Sequence, residues 1–122
     1  MSEFELWIGD VPPSFNDRGR VTHVIDRAIA QWRRDFGLLL LANKDRPRNA
    51  DHAEAFVTLA FPKQRRRDVE NYRPVLSKAL ADALVDTGVI PDDTAEHFTL
   101  WLQIHAGVHP RHRTEVRVVC QP

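Results

Sequence analysis

Apolar and polar residues alternate with two different periods along the 122-residue chain, and the changes of period divide it into elements. Phe4, Leu6 and Ile8 alternate with Glu3 and Glu5, the period of two that turns one face of a strand toward a core. Gly9 ends this strand, and Val11 to Gly19, with Pro12, Pro13, Ser14, Asn16 and Asp17, reads as a loop. From Thr22 the period lengthens. Ile25, Ile29, Trp32, Phe36, Leu39 and Leu40 recur at three-and-four spacing and predict a helix, with Arg27, Arg33 and Arg34 off the stripe. After the polar stretch from Asn43 to Asp51, Ala55 to Phe61 is nearly continuously apolar, which predicts a central strand covered on both faces and stopped at Pro62. Tyr72, Val75, Leu76, Ala79, Leu80, Ala83 and Leu84 mark a second helix, with Asn71 as N-cap, Pro74 in the first turn and Gly88 as the stop. Phe98, Leu100, Leu102 and Ile104, then Val116 and Val118, alternate with polar neighbours and predict two last strands joined as a hairpin. The order β-α-β-α-β-β predicts an α+β fold: one domain over residues 1–122, a small mixed sheet, and two amphipathic helices on one of its faces.

Composition narrows the class. Apolar residues make up 43% and charged residues 28%, too rich in core-formers for a disordered chain, and no apolar run approaches the length of a membrane span. The first residues carry Glu3 and Glu5 and lack a basic, then apolar, leader, so a soluble intracellular protein without membrane association is expected. Cys120 is the single cysteine and supports neither an internal disulfide nor a zinc framework.

The chemistry concentrates between Arg65 and Asp93. Arg65, Arg66 and Arg67 precede Asp68 and Glu70 at the turn from an apolar strand into a helix, and Asp92 and Asp93 follow that helix after a Gly-Val-Ile-Pro loop. Carboxylates facing one cavity repel unless a hard divalent cation lies between them, and Mg²⁺ takes one or two carboxylates with waters and phosphate oxygens. Arginines beside such an ion suit flanking phosphates. The plainer alternative makes the arginines a solvated run and Asp68 and Glu70 helix-dipole caps. His105, His109 and His112 read as surface or phosphate-facing residues, Trp32 and Phe36 as core, and Trp101 as a side chain on the polar side of its strand, where a partner contact is conceivable.

Arg66-Arg67-Asp68-Val69-Glu70-Asn71, Lys78 to Leu84, and Gly88 to Asp93 together resemble the signature of the RusA-type Holliday-junction resolvases, which reads R-R-D-x-D-N, K-x-x-x-D-A-L and G-x-x-x-D-D in that order. The Pro12-Pro13-Ser14-Phe15-Asn16 loop is similar to that family's P-P-S-x-N loop, so the resemblance covers most of the chain. It implies a Mg²⁺-dependent homodimeric endonuclease, with Mn²⁺ able to substitute, that resolves four-way DNA junctions by paired phosphodiester hydrolysis. Residue by residue, it implies that Asp68, Glu70 and Asp93 hold the metal and that Lys78 joins them in catalysis. It implies likewise that Arg65, Arg66, Arg67, Asn71 and Asn16 meet DNA, in a cytoplasmic, nucleoid-associated protein of bacterial or phage origin. Glu70 stands where the family has Asp, and the interval from Asn71 to Lys78 is longer by about one helical turn, with Pro74 inside it.

Two rivals belong to other classes: a branched-DNA-binding protein with little or no nuclease activity, and a small interaction domain with merely solvated charges. Charge helps to weigh them. The 17 Lys and Arg balance 17 Asp and Glu, and that neutrality argues against indiscriminate DNA binding. It is a sum of opposed segments, however: residues 63–78 carry +4 and residues 79–97 carry −5. The expectation is therefore local, structure-dependent binding with weak affinity for ordinary duplex.

Overall fold

A computed structural model describes residues 2–14 and 22–122. Strand β1 spans Ser2–Ile8, helix α1 Thr22–Ala42, strand β2 His52–Phe61, helix α2 Arg73–Asp86, strand β3 Phe98–Ala106 and strand β4 Arg113–Gln121, with a 3₁₀ turn at Val69–Asn71 ahead of α2. The fold is α+β, in the expected order, with a mixed sheet arranged β1-β4-β2-β3. β4 runs antiparallel to both β1 and β2, while β2 and β3 are parallel.

The register explains the alternation seen in the sequence. Leu6, Val116, Val57 and Leu102 lie in one row across the four strands, and Phe4, Val118, Ala55 and Leu100 in the next. This face packs against Trp32, Phe36 and Leu40 of α1 and Val75, Leu76, Ala79, Leu80, Ala83 and Leu84 of α2 in one continuous core. Each such side chain taken fully from water contributes about 1.5–3 kcal/mol for a Val, Leu or Phe.

Two expectations about the sheet are corrected. β3 and β4 form no hairpin, because β2 lies between them and pairs with both. The run from 107 to 112 steps over the end of β2, with the Gly107 amide donating to Phe61 O at 2.9 Å. Six residues span two inter-strand spacings of about 4.8 Å with ease, and inserting β4 there gives apolar β2 a partner on each edge. Nor is β2 covered on both faces. Ala53, Ala55, Val57, Leu59 and Phe61 are buried, whereas Glu54, Phe56 and Thr58 are only half-buried on the other side.

That second face carries Trp7 and Trp101, 55% and 54% exposed, so Trp101 lies on the polar side as expected. Its side chains are tied to one another. The Arg113 guanidinium stacks 4.1 Å from the Trp7 ring, the Arg117 guanidinium 4.4 Å from Phe56, and Trp101 Nε1 donates to Glu54 at 2.7 Å. Cys120 faces the core, where burial pushes its thiol pKa up and keeps it protonated.

Arg33, off the apolar stripe of α1, joins the two helices. Its Nε and Nη2 donate to the two carboxylate oxygens of Asp86 at 2.6 and 2.7 Å, a bidentate pair, and its Nη1 reaches Asp82 at 3.5 Å. Both partners are close to half exposed, so the pair belongs in the range of surface bridges. A double-mutant cycle with Arg33→Ala and Asp86→Ala in urea unfolding is expected to give a coupling of about 0.5–1 kcal/mol near neutral pH. Arg33 holds the Asp86 carboxyl below its usual range, so the coupling is complete above about pH 4 and is lost as the pH falls through that depressed value. A coupling that is absent at neutral pH, or unchanged after Asp86 protonates, overturns this assignment.

Candidate functional site

The site begins where β2 ends. Pro62 stops the strand, and the backbone runs without regular pairing to Asp68, whose side chain accepts from the Glu70 amide at 3.0 Å and so caps the 3₁₀ turn. The helix cap therefore differs from the expectation of Asn71. Asn71 closes the 3₁₀ turn, with its amide on Asp68 O at 3.1 Å, and α2 starts after Tyr72, which makes no side-chain cap. Asp68 supplies the local oxygen instead, because the 3₁₀ turn sets the first unpaired amide at Glu70 rather than within α2.

The far end of α2 decides whether Asp93 can join. Gly88 has φ +79° and sits where a helix ends in a left-handed residue; Gly88 N donates to Val85 O at 3.1 Å and Val89 N to Leu84 O at 2.9 Å. These two bonds form the Schellman arrangement, and the residue after Gly88, Val89, is fully buried as that arrangement favours. Ile90 is also buried, so the chain is drawn back along α2 rather than away from it. Asp93 consequently returns to a point 3.3 Å from Lys78 Nζ, eight residues before the helix end.

Glu70, Lys78 and Asp93, one from each of the three sequence segments, line an open pocket of about 450 Å³ together with Arg73, Ser77 and Phe98. Lys78 bridges Asp93 and Asp82, at 3.3 and 3.2 Å. Its ammonium pKa is raised by these two carboxylates, Asp82 first, and Asp93 is held below the usual carboxylate range chiefly by Lys78. Arg73 does the same for Glu70: its Nε donates to Glu70 at 2.8 Å, and Glu70 is lowered accordingly. Both pocket carboxylates, already ionised at neutral pH, hold their charge to lower pH beside these cations.

The expected three-carboxylate centre is not assembled. Among the described residues, no group of three or more His, Cys, Asp or Glu side chains is positioned to hold a metal. Asp68 spends an oxygen on its own turn and does not line the pocket, which leaves Glu70 and Asp93 as the oxygen pair facing it. A hard divalent cation is satisfied by one or two carboxylates with waters and phosphate oxygens, so this pair still fits Mg²⁺, with Arg73 and Lys78 supplying the counter-charge here.

Arg65 and Arg67 line a different pocket, with Phe61 and Tyr72, and Arg66 is exposed. Asn16 lies outside the described residues. Arg73 was missed in the sequence, although its i,i+3 spacing from Glu70 is the helical pairing distance that could have found it. It also donates through Nη1 to Leu100 O at 3.1 Å, fixing the start of α2 to β3. The histidines do not form a metal cluster: His109 Nε2 lies 3.5 Å from Glu115, His112 stands edge-on to Phe61, and His105 is exposed. Compared with family models and with curated proteins, the chain matches none.

Because Lys78 depresses Asp93, Lys78→Met is expected to raise the pH at which Asp93 titrates, toward the ordinary carboxylate value. Carbon-detected NMR of the Asp93 carboxyl across acid pH reads this directly. An unchanged titration in the variant means that the two side chains do not pair in solution.

Proposed function

We propose that the chain is a Mg²⁺-dependent endodeoxyribonuclease selective for branched DNA, of the kind its RusA-like segments imply. One observation carries the reading: Glu70, Lys78 and Asp93, distant in sequence and each drawn from a different segment of the resemblance, line one pocket.

Glu70 and Asp93 would hold the divalent cation, which supplies an activated water and neutralises charge developing on a phosphodiester. Lys78 and Arg73 orient those carboxylates, and both cations stand on the pocket wall, where a phosphate oxygen is a natural partner. Phe98 and Ala81 give the pocket an apolar side. Two symmetric cuts across a four-way junction require two such pockets related by a two-fold axis, hence a homodimer. Among the described residues no helix is long and apolar enough to cross a membrane, and a DNA substrate implies work in the cytoplasm, at the nucleoid.

The Glu70–Arg73 pair favours a second reading, a branched-DNA-binding protein that does not cut, because Arg73 already satisfies the carboxylate nearest the turn. The assay that separates them uses an end-labelled synthetic four-way junction in Mg²⁺ and in EDTA. The parent is expected to bind in both and nick only in Mg²⁺ or Mn²⁺, and Asp93→Asn to lose cleavage by at least about 100-fold while retaining binding in EDTA. Binding without nicking moves the assignment to the second reading. Absence of junction binding at any salt concentration removes both.

A further inference from the structure

On the other side of the 3₁₀ turn from the carboxylate pocket lies a smaller one of about 290 Å³, and no carboxylate lines it. Lys63, Arg65 and Arg67 face it while Gln64 and Arg66 do not, the alternation of a chain without helical winding. His112 completes the wall from the run that crosses over the end of β2. Gln64 points the other way, close enough to Gly107 that a Cβ there would meet its Oε1 at 2.9 Å.

The pocket is braced. Arg67 stacks 3.9 Å from the Phe61 ring centre and donates through Nη1 to Lys63 O at 3.0 Å and to Arg65 O at 3.3 Å. His112 meets the Phe61 edge at 5.7 Å, and Phe61 and Tyr72 pack at 5.6 Å. Several cations elsewhere meet carboxylates: Arg33 meets Asp86, Arg73 meets Glu70, Lys78 meets Asp82 and Asp93, and Arg117 meets Glu3. Among the described residues, Lys63, Arg65 and Arg67 have no carboxylate within ion-pair distance.

We infer that Lys63, Arg65, Arg67 and His112 form an anion subsite that takes a phosphate group of a nucleic-acid backbone. The occupant is phosphate rather than a base, because Phe61 and Tyr72 are 4% and 8% exposed and Arg67 already covers the Phe61 face. No stacking surface is left. The location deepens the nuclease reading and rests on it for the identity of the strand. Tyr72 lines this pocket and its neighbour Arg73 the other, so the phosphate held here flanks the one presented to Glu70 and Asp93.

Two measurements on the full chain separate this inference from the reading beneath it. In the first, inorganic phosphate is titrated into isotope-labelled protein; saturable shifts are expected at the Arg65 and Arg67 side chains and the His112 ring. In the second, junction binding is followed in EDTA over a range of KCl. Lys63→Gln and Arg65→Gln are each expected to lower the slope of log K against log[salt] by about 1 and to weaken binding similarly for every junction sequence. Both side chains are exposed, so neither variant threatens folding, and Lys44→Gln, at the end of α1, serves as a remote control expected to keep the parent slope. Phosphate shifts with no junction binding support the anion subsite and overturn the nuclease reading. Normal junction binding with unchanged slopes and no phosphate shifts overturns the subsite and leaves that reading intact.

Discussion

The site depends on one backbone event, the reversal at Gly88. A helix that simply ended at Asp86 would carry the following residues away from its start by about 1.5 Å per residue, and Asp93 would finish far from Lys78. The left-handed conformation at Gly88 lets two amides turn back onto Leu84 and Val85, and burial of Val89 and Ile90 makes the return favourable. The same return supports the other side of the domain: Asn49 N donates to Gly88 O at 2.9 Å and Ala50 N to Val89 O at 2.8 Å, fastening the α1–β2 connection to the end of α2. The core and the pocket are therefore consequences of one turn. What buries Ile90 also delivers Asp93.

Electrostatics then divides the surface into matched and unmatched regions. In the acidic stretch after α2 begins, Asp82, Asp86 and Asp93 are answered by two cations, Arg33 from α1 and Lys78 from within α2, which offset part of the net −5 of that segment. The basic segment after β2 is not answered in the same way. Its arginines stack, or donate to backbone carbonyls, rather than meeting carboxylates. Zero net charge thus conceals a basic pocket, lined by Lys63, Arg65 and Arg67, that no carboxylate of the described residues enters.

Much of the fold was legible because burial and period coincide. Leu6, Val57, Leu100 and Val116 alternate in sequence and share one buried face, and Trp32, Phe36 and Leu40 follow helical spacing into the core. Strand partners were not legible. The alternation of β3 and β4 fixes which way their side chains point, and says nothing about β2 lying between them, since that choice rests on pairing both edges of β2 rather than on either strand's own pattern. In the site, Glu70, Lys78 and Asp93 could be chosen by residue type, but Asp68 changed role because a 3₁₀ turn leaves its amide need one residue earlier than an α-helix would. Arg73 and Lys63 looked like ordinary solvated charges, and only three dimensions show what each faces.

Glu70 and the start of α2 meet in space. Glu70 is one methylene longer than aspartate, and the stretch between Asn71 and Lys78 contains Arg73 and Pro74. Pro74 stands in the first turn of α2, where its missing amide is harmless, and its fixed φ sets the helix direction immediately after Arg73. Arg73 is then held from one side by Leu100 O and from the other by Glu70. A shorter carboxylate at position 70 would reach that guanidinium less readily. Glu70 and Arg73 therefore act as a pair: the guanidinium holds the Glu70 carboxyl below its ordinary range, and both side chains stand on the pocket wall.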